Sequence, residues 1–193
     1  TGGAPIIAKI CKDLGILTVG IVTTPFAYEG KKRQQQAEEG IKILKQYVDT
    51  LLVISNDKLR HQFGNLKMRD AFAKADNVLA TAAKCITDVI TTTGQINVDF
   101  ADVRTVMSEM GTAVMGAGQA SGEDRAIMAV QAAIGSPLLE EVNLQGACGV
   151  LVNITAGMNL TMREFQEIGS AVADLASDDA TVVIGTVIDP EIG

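Results

Sequence analysis

Two apolar runs of strand length constrain this chain most. Ile16 to Thr23 and Thr50 to Ser55 are nearly continuous in aliphatic residues. A strand with one wet face alternates apolar and polar positions. A run without alternation is buried on both faces, as in a parallel sheet covered by helices. The flanking segments supply those helices. Ala4 to Leu14 carries Ile6, Ile7, Ile10, Cys11 and Leu14 at helical spacing. Pro5 falls in its first turn, where a missing N–H costs nothing, and Gly15 follows as a stop. Lys31 to Tyr47 reads as a second helix, with Ile41, Leu44 and Val48 on its apolar side. Helix–strand–helix–strand order implies right-handed crossovers and a doubly wound sheet. Ligands of such sheets sit beyond the carboxyl ends of the strands. Thr24 to Gly30 and Asn56-Asp57 are the loops at that edge.

Lys58 to Gly64 is a short helical or irregular piece holding His61. Met68 to Ile90 is a long helix whose buried stripe is Phe72, Ala75, Leu79, Ala82, Ile86 and Val89. Thr91-Thr92-Thr93-Gly94 breaks it. Phe100 to Met110 is another amphipathic helix, with Val103, Val106, Met107 and Met110 on one face. A boundary is expected near Gly111. Beyond it the pattern predicts a smaller α/β unit: strand Thr112 to Met115, helix Glu123 to Ile134, strand Gly149 to Ile154, helix Met162 to Leu175 and strand Thr181 to Ile188.

Composition narrows the function classes. The chain of 193 residues is 47% hydrophobic but only 4% aromatic, so its core is aliphatic. Its 16 Lys and Arg against 23 Asp and Glu give a net charge of -7. That opposes nucleic acid as a main partner, because duplex binding rests on cationic neutralisation of phosphates. A phosphate held by backbone amides remains open. Cys11, Cys85 and Cys148 form no CxxC and read as thiols of a reducing cytoplasm. A single histidine excludes a His-rich metal site, and no metal site is expected. No apolar run approaches the ~18 residues of a membrane span, so direct membrane insertion is not expected. The start at Thr1-Gly2-Gly3 looks cut from something longer.

Few residues stand out as chemistry. Gly116-Ala117-Gly118 to Gly122 resembles a phosphate loop before a helix. Glu123 and Asp124 at that helix start would repel a phosphate, and serve better as caps favoured by the dipole. Thr1-Gly2-Gly3 is the better phosphate candidate, since no acid follows it in the first turn. Asp99 and Asp102, three apart at a helix start, read as N-cap and first-turn acid. With Asn97 they can also orient a water or hold a cation; acids at a helix N-terminus stay ionised and suit polarising a water. Glu29 and Arg33 at i, i+4 form either an intrahelical ion pair or a ligand contact. Phe72 with Asp76 one turn on is either a core ring with a solvated acid, or a platform for a flat ring whose edge the acid reads.

At this point the residues resemble a known family. TPFAYEGKKR, FAKADNVL, NVDFADVRTVMSEMG, ASGEDRA, GVLVNITAG and DDATVVIGT occur in order along the whole chain and resemble the FtsZ family, the bacterial relatives of tubulin that polymerise on GTP and form the division ring. NVDFADVRTVMSEMG is highly specific. The resemblance implies an α/β fold: a partial tubulin-like, Rossmann-type nucleotide-binding domain with a parallel sheet, a long central helix and a smaller α/β second domain. By it, residues 1–67 are the second part of the GTP-binding domain. Residues 68–110 are the central helix and catalytic loop, and 111–193 an incomplete C-terminal GTPase-activating domain.

The resemblance also implies roles. Thr1 and Gly2 match the end of a glycine-rich phosphate signature, and Thr24 and Pro25 a loop near the ribose. Glu29 and Arg33 match ribose- and phosphate-side contacts, Phe72 the residue that packs on guanine, and Asp76 the carboxylate that reads its edge. Asn97, Asp99 and Asp102 match the loop that enters the neighbouring subunit's site and activates hydrolysis. The implied ligands are GTP and GDP, with Mg²⁺. The implied partners are further copies of the chain, head to tail, with accessory and membrane-tether proteins at a cytoplasmic, mid-cell ring. The family's opening strand and first phosphate loop, and its far C-terminal part, have no counterpart here, so a fragment that binds GTP poorly is expected.

Helix length adds a physical argument. Phe72 to Ile90 is 18 residue steps, roughly 27 Å at ~1.5 Å per residue. One nucleotide can hardly touch both ends. Acids at the far end then serve another subunit's nucleotide, and head-to-tail repetition of such a contact gives an open filament. The alternatives are a non-catalytic assembly scaffold and, more weakly, a dinucleotide-dependent oxidoreductase, which lacks its GxGxxG.

Overall fold

The computed structural model describes residues 2–63, 67–91, 98–108, 111–139 and 147–192. The chain divides into two compact units, Thr1–Ala83 with Met107–Met115, and Lys84–Val106 with Gly116–Gly193.

The first unit contains helix α1 (Ala4–Asp13), strand β1 (Val19–Thr24), helix α2 (Lys31–Leu44), strand β2 (Thr50–Ser55) and helix α3 (Asn56–Phe63). It also takes the first part of helix α4 (Met68–Thr91), and strand β3 (Gly111–Ala113), which follows helix α5 (Phe100–Ser108). β1 and β2 pair in parallel, from Val19 opposite Thr50 to Thr24 opposite Ser55. β3 pairs in parallel on the other side of β2. β2, flanked on both sides, is the more deeply buried: Leu51 is fully covered and Ile54 nearly so, whereas β1 is only half-buried. The segment read as a strand opening the smaller unit, Thr112 to Met115, is thus a correction. It is Gly111–Ala113 and belongs to the first sheet. The Thr50 hydroxyl donates to the Met107 carbonyl, and Gly111 turns the chain with φ +60, a conformation glycine adopts at no steric cost.

α1 begins at Pro5's turn and ends at Gly15 (φ +68), where the Ile16 N–H donates to the Cys11 carbonyl at 3.0 Å. Its stripe is not its buried face. Only Ala8 is buried, against Leu44 and Leu51. Ile6, Ile7, Ile10 and Leu14 are each more than half exposed. α2 stops at Leu44 and not Tyr47, because its last residues close a turn, with the Tyr47 N–H on the Leu44 carbonyl at 3.0 Å.

α4 is one unbroken helix of 24 residues. Its stripe is buried at seven-residue intervals, at Ala75, Ala82 and Val89. The first member, Phe72, departs from it and is 38% exposed.

The second unit holds the rest of α4, most of α5, helix α6 (Arg125–Ile134), strand β4 (Ala147–Ala156), helix α7 (Met162–Ala173) and strand β5 (Ala176–Ile188). β4 and β5 pair in parallel, with an irregularity between Ala147 and Gly149, and α7 is their crossover. Both strands run longer than their apolar cores. Ala126, Val130, Ile154, Ile168 and Val172 form the interior. A capping box opens α7: the Thr161 hydroxyl accepts the Glu164 N–H at 3.3 Å, and Glu164 Oε2 accepts the Thr161 N–H at 2.7 Å. Arg125 Nε of α6 donates to Glu164 Oε1 at 2.6 Å. The Arg125 guanidinium, then the Thr161 N–H and hydroxyl, hold the Glu164 carboxyl down to about 2. Among the described residues, no helix is long and apolar enough to cross a membrane.

Candidate functional site at the carboxyl edge of the first sheet

Parallel pairing of β1 and β2 brings the ends of both strands together, Thr24 opposite Ser55. The chain leaves β1 through Pro25 into one 3-10 turn, Ala27–Glu29. That turn is held from three directions. Glu29 Oε1 accepts the Phe26 N–H at 3.0 Å, and the Glu29 N–H donates to the Phe26 carbonyl at 3.0 Å. Both carboxylate oxygens of Asp57, in the first turn of α3, accept the Ala27 N–H at 3.1 Å. The turn after β1 is therefore stitched to the start of α3, which follows β2 directly, so that Asn56-Asp57, read from the sequence as a loop, opens a helix.

Glu29 Oε2 accepts from Arg33 NH1 at 3.0 Å. The pair is not intrahelical, as i, i+4 spacing first reads. Glu29 closes the 3-10 turn, Arg33 sits in α2, and Gly30 (φ +99) separates them. The Glu29 side chain is 16% exposed and that of Arg33 69%, so the carboxylate is fixed while most of the guanidinium faces solvent.

Phe26 is buried. Its ring stacks on Tyr28 at 5.0 Å between centroids and meets Phe72 edge-to-face at 5.3 Å. Phe72 is therefore not a core ring of the α4 stripe but a surface ring braced from behind. Asp76, one turn on, is exposed.

Asn56 was missed by reading the sequence. It is 7% exposed, at the start of α3 immediately after β2. Its Oδ1 is, among the described residues, the one buried side-chain polar atom with no hydrogen-bond partner. An unpartnered buried polar group costs about 1–3 kcal/mol. The signal was an Asn ending a buried apolar strand, which passes as strand punctuation.

The other candidates are differently placed. Thr1 and Asn97 lie outside the described residues. Gly2 and Gly3 precede α1, which has no acid in its first turn. A Cβ at either would meet nothing within 4 Å. Asp99 caps α5: its Oδ1 accepts the Ala101 N–H at 3.1 Å. Asp102 is exposed in the first turn. Both belong to the second unit. Gly116 and Gly118 are packing glycines: a Cβ would stand 2.2 Å from the Ala133 carbonyl oxygen and 2.1 Å from that of Ala129. The expectation that Glu123 and Asp124 cap α6 needs correcting. Asp124 occupies the N-cap position, but its side chain makes no cap hydrogen bond. No group of three or more His, Cys, Asp or Glu among the described residues is placed to hold a metal.

A parallel sheet with crossover helices, and with a fixed turn and an exposed ring at its carboxyl edge, places the first unit among the doubly wound α/β folds, and comparison makes that class specific. Residues 1–64 match the model of the Tubulin/FtsZ family, GTPase domain, and residues 111–193 that of the FtsZ family, C-terminal domain. The chain belongs to the FtsZ family. It is 61% identical over its whole length to the cell division protein FtsZ of Coxiella burnetii and 56% identical to that of Azotobacter vinelandii. The structure of an empty FtsZ dimer from M. jannaschii superposes with a TM-score of 0.95 at 43% identity, over 99% of this chain and 55% of that one. The chain spans about half the length of the curated relatives it matches, 50% of the first and 49% of the second.

Proposed function

We propose that the protein carrying this chain binds GTP at the carboxyl edge of the first sheet and hydrolyses it to GDP and phosphate when copies assemble head to tail. The observation that carries this reading is the braced edge itself. Phe72 offers a ring to a flat base, with Asp76 one turn on to accept from the base edge. Glu29 and Arg33 lie on the ribose and phosphate side, near Thr24 and Pro25. Thr1 and Gly2 precede α1, where backbone N–H groups suit a phosphate. Asn56 adds a waiting acceptor. Residues 1–67 are then the nucleotide-binding part, 68–110 the rod with its acids, and 111–193 the activating part. A Mg²⁺ ion, when bound, would be held by the phosphates and water, since no group of three or more His, Cys, Asp or Glu among the described residues is placed to hold one, and would neutralise phosphate charge.

Asn97, Asp99 and Asp102 act on the next subunit's nucleotide. α4, at ~1.5 Å per residue over its 24 residues, is about 35 Å long, more than a nucleotide bridges. Asp102, exposed in the first turn of α5, polarises the water that attacks the terminal phosphate. Polymers of such subunits suit a cytoplasmic division ring at mid-cell, attached to the membrane by tether proteins.

The test is Asp102→Asn in a full-length protein carrying these residues. Turnover should fall about 10²–10⁴-fold, the usual worth of a positioned acid or base, while GTP affinity stays. Unchanged turnover at saturating protein would sink the assignment.

A further inference from the structure

Phe26 has no part in the roles assigned above, yet it touches both sides of the edge. At 3% exposed it cannot itself lie on a ligand. Its ring meets Phe72 at 90° with centroids 5.3 Å apart, and stacks on Tyr28 at 11° and 5.0 Å. Edge-to-face contact fixes the relative planes of two rings, because the positive edge of one seeks the negative face of the other. Phe72 emerges from α4 with more than a third of its surface exposed. Without that contact its side chain would sample other rotamers. The backbone of the same residue orients the other side. The Phe26 N–H donates to Glu29 Oε1 and its carbonyl accepts the Glu29 N–H, which leaves Glu29 Oε2 for Arg33. Ala27, the next residue, is anchored on Asp57.

We propose that Phe26 is the positioning residue of this edge, its ring setting the plane of Phe72 for the base and its backbone setting Glu29 for the sugar and phosphate side. This rests on the nucleotide reading above. The two functions separate chemically. Removing the ring while keeping the backbone costs the base contribution and spares the rest.

The experiment uses full-length protein with Phe26→Leu, Phe26→Met, Phe26→Tyr, Phe72→Leu and the Phe26→Leu/Phe72→Leu pair. Affinities for GTP and for ribose 5-triphosphate are measured by competition against a fluorescent GTP analogue. Phe26→Leu and Phe26→Met should each lower GTP affinity about three- to tenfold, the worth of an aromatic pair. Ribose 5-triphosphate should bind as before. Phe26→Tyr, which keeps the ring, should restore GTP affinity, and Phe26→Leu should cost nothing further once Phe72 is Leu. Unchanged GTP affinity in the ringless variants overturns the proposal. So does equal loss of both ligands in both variants, or additivity with Phe72→Leu. If Phe72→Leu itself leaves the preference for GTP over ribose 5-triphosphate intact, the reading of Phe72 as base platform fails. If Phe72→Leu abolishes that preference and the Phe26 variants do not, only the positioning role fails.

Discussion

The edge after β1 and β2 and the start of α5 both carry candidate functional residues, and they are built in opposite ways. At the edge, one 3-10 turn is held by two carboxylates, a buried ring braces an exposed one, and a buried amide oxygen has no hydrogen-bond partner. At the start of α5, Asp99 makes a cap bond to the Ala101 N–H and Asp102 stands exposed. A site that binds within its own unit needs its groups locked by packing and hydrogen bonds beforehand. Acids offered to another subunit's ligand need only a rigid helix end. In the proposed function this difference reflects a split between binding and catalysis.

Asn56→Leu sharpens the comparison most. If Asn56 waits for ligand, the change removes an acceptor and an unpaired buried atom together. GTP affinity should fall about tenfold or more, while the nucleotide-free protein melts at a higher temperature. Unchanged affinity would mean that the edge is less built for a ligand than its geometry suggests.

Asp99→Ala attacks the other side and should do less. Loss of the cap should cost about 1 kcal/mol of stability in urea unfolding, with nucleotide affinity unchanged in the unassembled protein. Weaker GTP binding by that monomer would place the acid end and the edge in one site and end the contrast.

The sequence reading reached the architecture because burial leaves a pattern. The unalternating run Thr50 to Ser55 is the buried central strand, and the α4 stripe repeats at the spacing of Ala75, Ala82 and Val89. The run Ile16 to Thr23 is less exact, because β1 starts only at Val19 and, paired on one side, is half-buried, with Ile16 exposed. It misplaced β3 because three residues carry no periodicity, and their sheet is set by pairing with β2, distant in sequence, Thr50 opposite Gly111. It read the α1 stripe as a face to be buried, but periodicity reports amphipathicity and not what lies against it. The edge was found from topology, and Glu29, Arg33 and Phe72 from spacing and family motif. Phe26, Asp57 and Asn56 were not singled out, because their roles are contacts across sequence separations that no local pattern encodes. For Asp99 the local signal was a helix cap, and a cap is what the geometry contains. Only the family motif suggests more for the two acids.

Mixing two disabled proteins tests the central claim most directly. One full-length variant carries Asp102→Asn and keeps its nucleotide edge. The other carries Phe72→Ala with Arg33→Ala and keeps its acids. If acids and edge act on one nucleotide only across subunits, each alone turns over little GTP, and mixing them restores turnover as mixed contacts form. A mixture no more active than its two components would show that acids and nucleotide belong to the same chain.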